Sequence, residues 1–258
     1  MSEEQDYEAQ FEATAAPHVV MVTNHGVHEW EIEAGLPDTG GQNVYVNYLS
    51  HTLGRLGFRV TTYNRGGYPH PTRGTAREGT SYLNARERII YLTDGRSEFI
   101  RKEDMAPQID ELAAELADYL AAAPEPELIV SHYWDGAAVA EAARKRRGLQ
   151  CPHVWIPHSL GALKKEGTDP SYWPELRLDE RIAWERGIAR AADFVAATSR
   201  AMRENLIHEY GIEEPLFFPP CVDATRFDRE AVRKDRSAAE LLAKVLSLSP
   251  EEVEGRRI

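Results

Sequence analysis

Short apolar runs, separated by longer stretches with helical spacing, set the organisation of this chain. Val19-Val20-Met21-Val22, Leu128-Ile129-Val130, the run over 153–156 and the run over 194–197 are each three or four residues long. Continuous apolar runs of that length fit strands buried on both faces. Between them apolar positions recur three and four apart. Ile109, Leu112, Leu116 and Leu120 make one helical face within a helix over 105–120, and Pro124 and Pro126 end it.

Read in order, 1–16 is an expected disordered tail, 18–23 a strand, 24–41 a long loop and 42–56 a helix that Gly57 stops. A strand over 58–63, a Gly-, Pro- and Arg-rich loop over 65–79 and a strand over 88–92 follow. After the helix over 105–120 come a strand over 128–130, a helix over 136–147, a strand over 153–156 and a loop over 157–174. A helix over 175–191, a strand over 194–197, a helix over 199–210 with Ser199 as N-cap and a strand over 216–218 complete the pattern. A charged segment over 228–236 and a short helix over 237–246 come last. Strands alternating with helices predict an α/β fold, a Rossmann-like and largely parallel sheet with helices on both faces. In such sheets ligands lie beyond the carboxyl ends of the strands. The loops that start at Asn24, Ser131, Pro157 and Thr198 therefore converge on one edge.

Composition narrows the function classes. The 258 residues carry a net charge of -12, with 42% hydrophobic and 28% charged residues. An acidic total argues against a nucleic-acid partner, because phosphate contacts need a basic face. It also makes any small anionic ligand depend on a few placed cations. The first sixteen residues lack the apolar core of a signal peptide, and no stretch approaches the length of a membrane span, so a cytoplasmic location is expected. Cys151 and Cys221 have no metal or disulfide-framework spacing.

The stretch with most chemical content is Gly35-Leu36-Pro37-Asp38-Thr39-Gly40-Gly41-Gln42, between the first strand and first helix. Glycines that let backbone approach a ligand, followed by a helix start with free N–H groups, make an anion site. The spacing is neither the dinucleotide fingerprint nor the P-loop. By itself the glycine pair also fits a tight turn. Four further constellations stand at strand ends or helix starts: His158-Ser159-Leu160-Gly161 with Lys164, Ser131-His132-Tyr133-Trp134-Asp135-Gly136, Arg101-Lys102-Glu103-Asp104, and Arg181 four residues before Glu185. Each has a plainer reading: a histidine satisfied by backbone, aromatic packing with Asp135 as an N-cap, a solvated charge, and an exposed i, i+4 pair. His25, Glu29, Glu31 and Glu33 lack the surrounding partners a zinc site needs, and read as a solvated acidic loop.

The octet resembles the G-x-P-D-T-G-G-Q loop of retaining nucleotide-sugar glycosyltransferases related to sucrose synthase and sucrose-phosphate synthase. In that family the loop approaches the donor diphosphate and the transferred sugar. His158, Ser159, Leu160, Gly161 and Lys164 resemble the H-S-L-G-x-x-K stretch, whose histidine lies against the transferred sugar. His132 and Tyr133 lie in a stretch similar to H-Y-x-x-x-G, with Gly136 one position before the motif's glycine, and in that family the tyrosine touches an acceptor phosphate. Lys102 resembles a lysine in an [RS]-K-E stretch and Arg181 an arginine in an R-I-x-x-E helix, both acceptor-phosphate positions.

The similarity runs over about 17–227 and includes Phe218-Pro219-Pro220-Cys221-Val222-Asp223, where Cys221 stands in place of the family's glycine. It implies the N-terminal half of a GT-B fold: an acceptor-binding domain over 17–227, then a linker and the start of a C-terminal donor-binding domain over 228–258. It further implies retaining, metal-independent hexose transfer from a nucleotide diphosphate sugar to a sugar or sugar phosphate. No cofactor is implied besides that donor substrate. Gly40 and Gly41 would stabilise the leaving diphosphate with Gln42 beside them, and His158 would contact the transferred sugar. Lys102, Tyr133, Ser159, Arg181 and Lys164 would hold the acceptor, with His25 at its mouth. A sucrose-synthase-like enzyme with an unphosphorylated acceptor and a free-standing sugar-phosphate-binding domain or subunit remain the alternatives.

Overall fold

The computed structural model describes residues 3–221. Its elements run α1 (Glu3–Ala13), β1 (His18–Val22), α2 (Gly41–Arg55), β2 (Arg59–Arg65), β3 (Gly79–Asn84), β4 (Glu87–Leu92), α3 (Ile109–Ala121), β5 (Leu128–His132) and α4 (Tyr133–Arg147). They continue as β6 (His153–Ile156), α5 (Gly161–Glu166), α6 (Leu178–Ala191), β7 (Phe194–Ala197), α7 (Arg200–Tyr210) and β8 (Leu216–Phe217). The sheet order is β3-β4-β2-β1-β5-β6-β7-β8, parallel throughout except for the antiparallel β3–β4 edge.

All five residues of β1 are buried, as a central strand covered on both faces requires. Its side chains divide by alternation. Val20 and Val22 pack with Leu112 and Leu116 of α3 and Ala137 of α4, whereas Val19 and Met21 pack with Tyr45, Val46 and Leu49 of α2. The helices therefore lie on both faces, as the sequence pattern predicts. At Gly136 a Cβ would come 2.6 Å from the Val22 carbonyl oxygen, so α4 crosses β1 at a distance only glycine permits.

Several elements differ from the sequence reading. The expected disordered tail contains α1, whose Phe11 is buried edge-on to His18 and Tyr82 and lies under the Arg88 guanidinium. The antiparallel edge strand β3 occupies a polar stretch with no apolar run, and α5 lies inside the expected loop over 157–174. The α4 helix begins at Tyr133 and α6 at Leu178, and Asp135 is not an N-cap. Ser199 does cap α7, accepting from Met202 N–H at 3.2 Å. The expected domain boundary at 227 and the helix over 237–246 lie outside the described residues.

Candidate functional site

The loop after β1 is tied down along its length. Asn64 donates to the Thr23 carbonyl at 2.6 Å and to that of Asn24 at 3.3 Å, and Val27 N–H donates to the Thr39 hydroxyl at 2.8 Å. The acidic run is not simply solvated: Glu29 pairs with Arg73 and lies 3.7 Å from the buried Arg77, and Glu33 accepts from Thr72 at 3.1 Å. A Cβ at Gly26 would run into the Asp38 carbonyl, and its φ of 76° suits glycine.

This loop delivers the octet to the start of α2. Gly40 N–H donates to Asn43 at 3.0 Å, while a Cβ at Gly40 or at Gly41 would meet nothing within 4 Å among the described residues. The backbone there faces open space, which suits a ligand lying against the helix start. Gln42 turns inward and donates to the Thr23 hydroxyl at 3.0 Å. Asp38 reaches across to Lys102, accepting from its backbone N–H at 2.9 Å and from its ammonium group. Burial works to raise the Asp38 pKa, but the hydrogen bonds from Lys102 outweigh it and bring the pKa below the usual carboxylate value.

Lys102, Tyr133 and Arg181 line one narrow surface cleft, together with Trp134, Arg177 and Trp184. Arg181 is 4% exposed; its Nε donates to Glu185 at 2.7 Å, and its NH2 group donates to the Ser159 carbonyl at 2.7 Å and hydroxyl at 3.3 Å. Glu185 is fully buried and also accepts from Gly161 N–H and the Tyr210 hydroxyl. The i, i+4 pair expected on an exposed helix face is therefore present, but inside the molecule. Lys164 is half-buried. Its pKa is lowered first by burial and then by the charges of Lys102 and Arg181, which puts three cations near one another. Lys102, Tyr133, Ser159, Lys164 and Arg181 thus come together from five separate elements and loops.

Beside them stand the histidines. His25 bonds through Nδ1 to the buried Asp135 at 2.9 Å, and its ring packs 4.5 Å from that of Tyr133. His158 bonds through Nε2 to His132 Nδ1 at 2.8 Å, with the Tyr45 ring edge-on at 4.8 Å. Burial, then the charge of His25, depresses the His158 pKa to about 3, so the ring is neutral at ordinary pH.

Residues 39–226 match the model of Glycosyltransferase Family 4, nearly three-quarters of the chain. The chain belongs to that family. Among its relatives, a mannosylfructose-phosphate synthase of Agrobacterium fabrum is 30% identical over 221 residues, covering 82% of this chain and 47% of the relative. A D-inositol 3-phosphate glycosyltransferase of Xylanimonas cellulosilytica is 27% identical, covering 91% and 54%. The chain thus spans about half the length of the curated relatives it matches. Among solved structures, a sucrose-phosphate synthase from Thermosynechococcus elongatus shares the fold with a TM-score of 0.66 at 22% identity, covering 80% of this chain and 48% of that one. No helix among the described residues is long and apolar enough to cross a membrane.

Backbone conformation gives this family member a site signal that the sequence reading lacks. Among the described residues, four non-glycine residues have positive φ: Asp38 (49°), Tyr133 (63°), His158 (56°) and Arg177 (46°). Tyr133 and Arg177 line the cleft, Asp38 holds its Lys102, and His158 follows β6 next to Ser159. Such conformations cost on the order of 1–3 kcal/mol each and persist where surrounding structure enforces them, which is most often at functional sites. Asp38, Asp135 and Arg177 were not assigned to the site from sequence. Asp38 lies within the recognised octet, but nothing local shows that its partner is Lys102.

Proposed function

We propose that this chain is the acceptor-binding half of a retaining glycosyltransferase that moves a hexose from a nucleotide diphosphate sugar to a sugar phosphate. The observation that carries the reading is the meeting of Lys102, Tyr133 and Arg181 in one cleft, with Ser159 bonded to Arg181 and Lys164 within electrostatic reach of Lys102 and Arg181, in a chain of net charge -12. Arginine offers phosphate a planar fork, lysine a point charge, and tyrosine and serine neutral donors. The names of the relatives, a mannosylfructose-phosphate synthase and inositol 3-phosphate glycosyltransferases, support a phosphorylated acceptor or product.

In this reading the Gly41 N–H at the open helix start donates to the diphosphate as negative charge develops on it, while Gly40, its own N–H held by Asn43, lets the ligand approach closely; this is an electrostatic contribution to the transition state. Gln42 braces that loop through Thr23. His158 contacts the transferred hexose, and His25, held by Asp135, stands at the acceptor mouth. The acceptor hydroxyl attacks from the face the diphosphate leaves, and the diphosphate takes its proton, so no protein nucleophile, metal or further cofactor enters. The donor-binding groups belong to a C-terminal half, and the enzyme works in the cytoplasm.

One observation favours a second reading. Lys102 is already compensated by Asp38 and, at 3.1 Å, by Glu103, which suits a neutral sugar acceptor. Calorimetric titration separates the two. With fructose 6-phosphate, inositol phosphate and the unphosphorylated sugars as ligands, only a phosphorylated one should bind. Lys164→Ala should weaken it about tenfold or more, the loss of a charge-assisted hydrogen bond. Equal binding of fructose and fructose 6-phosphate would transfer the assignment to an unphosphorylated acceptor.

A further inference from the structure

We propose that His132 is a positioning residue that holds His158 in its Nδ1–H tautomer, so that His158 meets a ligand as a hydrogen-bond donor. His132 ends β5 and is fully buried; His158 follows β6, the neighbouring parallel strand. The contact between them joins His132 Nδ1 to His158 Nε2 at 2.8 Å. Burial is the main cause that lowers both pKa values and holds both rings neutral. One proton therefore occupies the bond between two neutral imidazoles, and only two arrangements exist.

In the first, His132 Nδ1–H donates and His158 Nε2 accepts, leaving the His158 proton on Nδ1. In the second, His158 Nε2–H donates and the His132 proton must sit on its own Nε2. That Nε2 is buried with no hydrogen-bond partner among the described residues. The second arrangement strands an N–H there, the kind of orphan that folded proteins avoid most strictly. The first strands only a lone pair.

The His158 ring has little freedom to evade this. It is the centre of a three-residue turn closed by Ser159 N–H to the Pro157 carbonyl at 2.6 Å, with φ of 56°, and Tyr45 packs against its face. Its Nδ1 bonds no other described residue and is not among the buried unpartnered atoms, so it is the nitrogen turned outward. On the glycosyl-transfer reading, on which this last step alone rests, His158 Nδ1–H donates to a hydroxyl oxygen of the hexose.

The test is ¹⁵N NMR of the imidazole nitrogens in the ligand-free 258-residue chain at pH 8, with His158→Gln to assign the signals. The expected result is a proton on His158 Nδ1 and none on Nε2. His132→Leu should return His158 to the Nε2–H form that free neutral imidazole favours, and His132→Asn, whose amide can donate in the same place, should preserve the wild-type pattern. A wild-type His158 protonated on Nε2 overturns the proposal, as does an unchanged tautomer in His132→Leu. If the leucine variant does not fold, the wild-type and asparagine spectra still decide. The readout needs no sugar, so its failure leaves the transferase assignment standing, and failure of that assignment leaves the tautomer standing.

Discussion

The Arg181 guanidinium carbon lies 4.4 Å from the centre of the Tyr133 ring, while its Nε bonds Glu185 four residues along α6 at 2.7 Å. One side chain thus closes the floor of the cleft and neutralises a carboxylate with no access to solvent. Arg181→Ala should lower unfolding stability by about 3–5 kcal/mol in a urea titration, since it leaves a buried charge without its counterion. Arg181→Lys should cost less yet still weaken phosphate binding, because the planar fork is lost. Full stability in the alanine variant would mean that Glu185 is neutral in the native state.

Glycine substitutions separate fold from ligand contact. Gly136→Ala places a methyl 2.6 Å from the Val22 carbonyl and Gly161→Ala places one 2.8 Å from Ile182 and 3.1 Å from Glu185, so each should cost about 1–3 kcal/mol by overpacking. Gly41→Ala meets nothing within 4 Å at the start of a helix and should leave thermal stability unchanged or slightly raised. Its effect should appear instead as lost nucleotide-sugar or pyrophosphate binding by calorimetry. A Gly41→Ala protein that binds both normally would remove this loop from the diphosphate site.

Asp38 competes with any anion for Lys102. Asp38→Asn keeps an acceptor for the Lys102 N–H and tolerates the left-handed backbone, but releases the ammonium charge. Affinity of the cleft for a sugar phosphate should therefore rise severalfold, measured by the same titration. A fall in affinity would show that Asp38 itself binds the acceptor.

Acid should destabilise the fold well above the carboxylate range. His18 and His28 have pKa values pushed down to about 3, by burial first and then by Arg59 and Arg88 for His18 and Arg77 for His28. The unfolded chain binds these protons near pH 6.5 and the native chain does not, so stability falls as pH drops from about 6.5 toward 3. The slope is about 1.4 kcal/mol per pH unit for each histidine. Urea unfolding at pH 7.5 and 5.5 should show the loss, and His18→Gln should flatten it. Identical slopes in the two proteins would exclude His18 as a source.

The sequence alone determined the alternation of strands and helices, the buried strands β6 and β7, the Ser199 cap and the glycine loop between β1 and α2. These are short-range properties, set by apolar spacing, capping chemistry and residues adjacent in the chain. The edge strand β3 and helix α1 escaped because their burial comes from partners elsewhere: β3 pairs with β4, and Phe11 of α1 packs on His18 and Tyr82. Charge placement is likewise non-local. Asp38 meets Lys102 across 64 positions and His25 meets Asp135 across 110, because the parallel sheet brings those loop ends to one edge. Arg181 and Glu185 show the limit most clearly: their spacing predicts the pair, but only packing against Ser159, Gly161 and Tyr210 makes it buried rather than solvated. The left-handed backbones of Tyr133 and His158 leave no mark in residue type, since the surrounding structure, not the side chain, enforces them.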